Sequence, residues 1–227
     1  MPPKRVTAAE RERAANIYRV LEECYPDVRC TLDYGNAFHL LVMTILAAQC
    51  TDARVNLVCR TLFTRFSTPR DFMSAPAGAL EREIHSCGFF NQKAKSIRET
   101  SRILEEEHGG AVPDTMEALL RLPGVGRKIA NVILGECHGK PAVIVDTHCQ
   151  RLAFRMGFTK REEPAGVERD LMRLWPEEYW TLFSHRMVYH GRAVCTARAP
   201  KCAECPVRPL CPRRGLTASS PRRTKAT

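Results

Sequence analysis

The sequence predicts an all-α protein, and three observations carry that prediction. Apolar residues return every three or four positions in one segment after another. Capping residues precede those segments, and glycine or proline follows most of them. The best strand candidate, Ala142, Val143, Ile144 and Val145, is a short run of four, below the usual strand length of about five or six.

Each element has its own signal. Thr7 and Glu10 have capping-box spacing, and the helix they open stops before Pro26. Phe38, Leu41, Val42, Ile45 and Leu46 fall on one helical face. Thr51 is placed to cap the next helix, with Val55, Val58, Leu62 and Phe66 on its inner side. A short helix around 80–84 ends at Gly88. Asn91 is placed to cap a long helix that stops at Gly109 and Gly110. Asp114 and Glu117 read as a capping pair for the segment 118–120. A helix follows Gly126 and runs to Gly139; others fit 147–156, 164–174 and 176–191.

The 227 residues suffice for one large or two small domains. Hydrophobic residues make up 44% and charged residues 26%, the balance of a soluble protein. No apolar run approaches the ~20 residues of a membrane span, and the basic start leads into Glu10 and Glu12 without the apolar core of a secretion signal. A soluble, intracellular protein is expected. The net charge is +10, and Arg213, Arg214, Arg222, Arg223 and Lys225, with no acid among them, supply half of it from 212–227. That stretch is expected to be a basic, disordered tail. A basic excess attracts polyanions, of which nucleic acid is the commonest.

The chain has 11 cysteines. An odd count without a secretion signal argues against a disulfide framework. Cys24, Cys30, Cys50, Cys59, Cys87, Cys137 and Cys149 are scattered and read as small buried hydrophobes. Cys195, Cys202, Cys205 and Cys211 are different: they form C-x6-C-x2-C-x5-C. Zinc and a [4Fe–4S] cluster both accept four thiolates, but zinc sites usually show two C-x2-C pairs, so the irregular spacing favours the cluster. With every iron held by protein, its role is structural. Arg198, Lys201 and Arg208 lie in the loops between the cysteines, placed to offer charge to phosphates.

Leu122-Pro123-Gly124-Val125-Gly126-Arg127-Lys128 joins two short helices. Gly124 and Gly126 are expected to adopt angles closed to other residues and to let an anion approach the backbone. The amides at the following helix start form a phosphate site that reads no sequence. Lys128 lies in the first turn, where the helix dipole disfavours an ammonium. On the hairpin alone it is equally a phosphate contact or a Schiff-base nucleophile, which must be a neutral amine. Asp146 alone reads as the N-cap of the helix from Thr147, and His148 as a structural residue. Together, Lys128 and Asp146 fit one chemistry. The amine attacks a sugar at its anomeric carbon and expels a base, while the carboxylate stabilises the positive charge or assists proton transfer.

At this point the chain resembles endonuclease III, the bifunctional DNA glycosylase/AP lyase of the helix–hairpin–helix superfamily. The similarity runs from about Tyr18 to Pro212. Its anchors are Ala48-Gln49-Cys50-Thr51-Asp52, Gly88-Phe89-Phe90-Asn91 with Lys93 and Ala94, the hairpin through Ala130, Val145-Asp146-Thr147-His148, and His190-Gly191-Arg192 leading into the four cysteines. The resemblance implies two all-α domains flanking a cleft. One is a six-helix barrel over 30–140 with the helix–hairpin–helix at about 115–138. The other is an iron–sulfur domain of 1–29 plus 141–211, leaving the tail 212–227. It implies Lys128 and Asp146 as the catalytic pair, and a [4Fe–4S] cluster on Cys195, Cys202, Cys205 and Cys211. It implies Gln49 filling the space of a flipped nucleotide and Phe89 wedged into the duplex. Leu122, Gly124, Val125, Gly126, Arg127, Arg198 and Lys201 are the further DNA contacts.

The implied partner is double-stranded DNA with damaged bases or abasic sites. The implied reaction removes oxidised or saturated pyrimidines and nicks 3′ to the abasic site by β-elimination. A monomer is expected, in the bacterial cytoplasm and associated with the nucleoid. Phe89 stands where the family often has a smaller aliphatic, and Leu120 where some members carry glutamate. An adenine-mismatch glycosylase would lack the nucleophilic lysine. A pyrimidine-dimer glycosylase would share Lys128, Asp146 and the cluster. A non-catalytic, cluster-bearing DNA-binding or redox-sensing protein explains the hairpin and cysteines but not the pairing of Lys128 with Asp146.

Overall fold

The computed structural model describes residues 6–216. Eleven α-helices run through them: α1 Ala8–Cys24, α2 Ala37–Leu46, α3 Asp52–Arg65, α4 Pro69–Met73, α5 Ala79–Ile84, α6 Phe90–His108, α7 Met116–Leu120, α8 Arg127–Cys137, α9 Thr147–Arg155, α10 Pro164–Met172 and α11 Trp180–Ala193. Among the described residues there is no strand. No helix among them is long and apolar enough to cross a membrane. The chain clusters into two compact units, 6–27 with 145–176 and 186–216, and 28–144 with 177–185.

The second unit is built around α2. Phe38 and residues 40–46 are buried, with His39 half-buried among them, more than the one apolar face expected, and a helix apolar nearly all round belongs inside a core. Amphipathic α6 turns Ala94, Ile97 and Leu104 inward, α4 packs along it, and α7 and α8 close on each other. Residues 142–145 are buried but pair with no strand. Their backbone is met by side chains instead. Ala142 N donates to Thr181 Oγ1 at 3.2 Å, Ile144 N to Ser184 Oγ at 2.9 Å, and Asn131 Nδ2 to Val143 O at 2.9 Å. Buried amides need partners, and hydroxyls supply them here. These bonds draw 177–185 into this unit rather than into the domain expected to hold 141–211.

In the first unit α9 packs against α10, and α1 against the 3-10 turn Arg208–Leu210. Ala14, Ile17 and Leu21 are buried with Leu152, Val167 and Leu171. Trp175 Nε1 donates to Ala14 O at 3.2 Å, and Arg13 Nη1 donates to Met156 O at 2.7 Å and Leu210 O at 3.2 Å.

Thr7 makes the expected capping box and Thr51 the expected cap. Two caps differ. Phe89 stands at the N-cap of α6 with φ 48°, so Asn91 lies inside the first turn. Thr115, not Asp114, caps α7, because the Asp114 carboxylate is taken by Lys140 Nζ at 2.7 Å. Disorder from 212 onward does not hold for 212–216. Arg214 N donates to Arg155 O at 3.1 Å, and Pro212 packs where a Cβ on Gly157 would stand. The rest of the expected tail, with Arg222, Arg223 and Lys225, lies outside the described residues. Of the seven scattered cysteines, Cys59, Cys87 and Cys149 are buried, Cys30, Cys50 and Cys137 are half-buried, and Cys24, at the end of α1, is exposed.

Candidate functional site

The hairpin joins α7 to α8 in the second unit. Gly124 has φ +83°, and a Cβ there would stand 3.1 Å from Ser96 Cβ, so conformation and space both demand glycine. Gly126 differs from the expectation. Its backbone is extended, φ −93° and ψ 174°, which any residue adopts. A Cβ there would meet nothing within 4 Å. Glycine at 126 therefore leaves open space beside the start of α8, where no side chain caps the helix. Helix starts leave backbone N–H groups unsatisfied, with the positive dipole end outward. Leu122 and Val125 point into the core, and Val125 N is spent on Leu122 O at 3.0 Å. Pro123 is half-buried, while Gly124, Gly126, Arg127 and Lys128 are exposed.

Gln49 and Phe89 come together with the hairpin. They border one cavity of about 220 Å³ with Lys93, Ser96 and Gly124. Both have left-handed backbones, φ 55° at Gln49 and 48° at Phe89. Such angles cost on the order of 1–3 kcal/mol in a residue other than glycine, and they cluster at working sites. Phe89 is 66% exposed, the most of the large hydrophobic side chains among the described residues. Lys93 enters the sequence argument only as part of a resemblance. It is buried, its Nζ donates to Leu46 O at 2.8 Å and Cys87 O at 2.9 Å, and burial pushes its pKa below the ordinary lysine value. Its one signal in the sequence is its spacing from Ile97 and Leu104 on the inner face of α6.

Asp146 belongs to the first unit and Lys128 to the second. The Asp146 carboxylate caps α9, its Oδ1 accepting from Cys149 N at 2.7 Å. His148 is packed where a Cβ on Gly191 would lie 2.8 Å from its Nδ1, and Arg151 Nη2 approaches that nitrogen at 3.1 Å.

Cys195, Cys202, Cys205 and Cys211 line one cavity of the first unit, with Arg155, His190 and Val207. Among the described residues, no three metal-binding side chains close on a single point as one ion requires. Arg155 Nη1 donates to Cys195 Sγ at 3.4 Å and to Thr196 O at 2.7 Å, and its Nη2 donates to Ala197 O at 2.7 Å. His190, fully buried, places Nε2 3.5 Å from Cys205 Sγ and Nδ1 3.2 Å from Tyr25 Oη. Burial holds its pKa down to about 4, so the ring is neutral. Burial pushes the Cys205 and Cys211 thiols up, and the neighbouring cysteines add to it. Four thiolates here need a cationic centre, and the irons of a cluster supply one. The set fits. Arg198, Lys201 and Arg208 are exposed on the loops between the cysteines. Arg155 and Tyr25 carry no sequence signal; each acts through a partner remote in the chain.

Known proteins share this geometry. Residues 42–177 match the HhH-GPD superfamily base excision DNA repair protein, and residues 195–211 match the iron–sulfur binding domain of endonuclease III. Endonuclease III of Synechocystis sp. is 48% identical over 92% of this chain and 95% of its own length. That of Bacillus subtilis is 42% identical over 83% and 87%. A trapped endonuclease III–DNA covalent intermediate, an estranged-adenine complex, superposes with a TM-score of 0.86 at 38% identity, covering 89% of this chain and 96% of that one. A thermostable thymine-DNA glycosylase, 24% identical, shares the fold with a TM-score of 0.81. The cofactor of the 195–211 domain is a [4Fe–4S] cluster. An all-α hairpin protein with this cluster domain, matched along nearly its whole length, belongs to the endonuclease III family of the HhH-GPD superfamily.

Proposed function

We propose that this chain is a base-excision DNA glycosylase with AP lyase activity. It acts on oxidised or saturated pyrimidines in duplex DNA, with Lys128 as nucleophile. The observation that carries the reading is the hairpin. Gly126 leaves open space before the uncapped start of α8, and Lys128 stands exposed in that helix's first turn. A phosphate settles on the open amides, and the amine is held beside the sugar it serves.

The chemistry follows from the groups. The Lys128 amine bonds to the anomeric carbon, and the base leaves with the electron pair of the glycosidic bond. The Asp146 carboxylate stabilises the positive charge on the sugar and takes up the amine proton. Ring opening gives the imine. Loss of a 2′ proton then expels the 3′ phosphate and nicks the strand. Water returns the free lysine. Gln49 and Phe89 enter the stack as the damaged nucleotide leaves it, and their shared cavity and strained backbones support that role. Gly124, Gly126 and Arg127 hold the phosphates of the strand, and Leu122 and Val125 hold the turn in shape.

Cys195, Cys202, Cys205 and Cys211 would hold the cluster, which when bound staples the 195–211 loop through four iron–sulfur bonds. Arg198 and Lys201 meet the DNA backbone from that loop. The protein works as a monomer, at the bacterial nucleoid where its substrate is.

The test is trapping. Duplexes carrying thymine glycol, an abasic site or a pyrimidine dimer are incubated with the protein and borohydride. A covalent adduct is expected with the first two and is lost in Lys128→Ala. An adduct with the dimer alone would move the substrate class, and none with any duplex would remove Lys128 as nucleophile.

A further inference from the structure

We infer that Lys93 is a positioning residue that aims Gln49 and Phe89 together, through the backbone of the two segments that carry them. The inference rests on the proposed role of those two side chains in the DNA stack.

Lys93 is 5% exposed, and its Nζ makes two bonds, to Leu46 O at 2.8 Å and to Cys87 O at 2.9 Å. Neither acceptor is a carboxylate. Burying an ammonium without a counter-charge carries a desolvation penalty that a methionine of similar length does not. The charge is justified only by what the two carbonyls do. Leu46 is the last residue of α2, so its carbonyl is one of those a helix end leaves without an internal partner, at the negative end of the dipole. Cys87 closes the 3-10 turn His85–Cys87.

Each acceptor stands just ahead of a strained residue. Three residues beyond Leu46 comes Gln49 with φ 55°, and two beyond Cys87 comes Phe89 with φ 48°. Among the described residues only one other non-glycine, Arg213, has a positive φ. Strained backbones persist where the surroundings over-determine them. One ammonium ties the ends of both segments to α6, and Lys93 itself lines the cavity that Gln49 and Phe89 border. Without it, each segment can relax separately towards ordinary angles, and the two side chains lose their common aim.

The test uses the full-length, cluster-loaded protein and a double-mutant cycle. Borohydride trapping under single turnover is measured for wild type, Lys93→Met, the Gln49→Ala/Phe89→Ala pair, and the triple variant. Two substrates are used: a duplex with an abasic site opposite adenine, and the same abasic strand single-stranded, where no stack is opened. Lys93→Met is expected to slow trapping on the duplex by on the order of 10²-fold, as misplacement by about 1 Å can. Single-strand trapping should change little, and the triple variant should be no slower than the pair.

Multiplying losses in the triple variant, or equal losses on both substrates, would overturn the inference and leave Lys93 a plain structural residue. No loss from the Gln49/Phe89 pair would instead sink the stacking role on which the inference rests. Circular dichroism checks the fold, and Lys93→Gln stands in if Lys93→Met is unfolded. Loss of fold in both variants assigns Lys93 to stability and also overturns the inference.

Discussion

Gly124 and Gly126 are two residues apart and do different work. At Gly124 the backbone is left-handed and Ser96 fills the space of a Cβ. Gly124→Ala therefore strains the backbone and pushes on α6, and it should cost about 1–3 kcal/mol in a urea unfolding curve. At Gly126 the backbone is ordinary and the space is open. Gly126→Ala should leave the unfolding midpoint nearly unmoved and weaken DNA binding, measured by fluorescence anisotropy, because the methyl stands where the phosphate approaches. Equal effects of the two on stability would undo this division. The sequence shows two alike glycines in a phosphate-binding turn, and only backbone angles tell them apart. Lys93 is the same lesson for a side chain. Its residue type and its place on the inner face of α6 are visible in the sequence, but its carbonyl partners lie 47 and 6 residues away.

The helices themselves are legible because their apolar spacing and caps agree, as at Thr7 and Thr51. Where caps compete, the sequence misleads: Asp114 has the look of a cap but is claimed by Lys140. Asp146 is the opposite case, an ordinary cap by geometry with a chemical role by proposal. Substitution can separate the two at the level of α9. Asparagine caps a helix about as well as aspartate, whereas alanine costs about 0.5–2 kcal/mol. Asp146→Asn should keep wild-type stability and DNA affinity yet excise poorly, while Asp146→Ala should lose both stability and excision. Near-normal turnover by Asp146→Asn would remove the carboxylate from the mechanism.

A second element-level prediction concerns acid. Glu136 on α8 accepts from Tyr34 Oη at 3.2 Å and meets His185 Nε2 of α11 at 2.6 Å. Burial works to raise its carboxyl, but the His185 and Tyr34 contacts outweigh burial and hold it below the usual range. A carboxyl depressed in the folded state contributes stability above its unfolded pKa, about 4.3, and loses it as pH falls through the folded value. Glu136→Gln should therefore be less stable than wild type at pH 7, with the gap narrowing as pH falls below about 4. A gap that stays constant from pH 7 to pH 3 in thermal melts would show that the charge of Glu136 plays no part.

At the scale of the whole chain, the net charge of +10 points to a polyanion without saying where it binds. Two candidate phosphate contacts, Arg198 and Lys201, stand exposed on the cysteine loop of one unit, and the open start of α8 belongs to the other. The loop is held in two ways. Arg155 bonds the carbonyls of Thr196 and Ala197, and Arg13 that of Leu210; the cluster would staple the cysteines between. Stripping the iron with ferricyanide and a chelator should therefore loosen the loop without melting the hairpin's own unit. Each lost phosphate contact should lower the slope of log K against log salt by about 0.9. The apoprotein should then show a shallower slope than the loaded protein, as should Arg198→Ala/Lys201→Ala in loaded form. The apoprotein carrying both substitutions should differ from the loaded double variant by no more than about 0.9 in slope, the one contact that Arg208 still offers from the loop. A loaded Arg198→Ala/Lys201→Ala protein with the wild-type slope would take the loop out of the DNA interface and leave the cluster a purely structural staple.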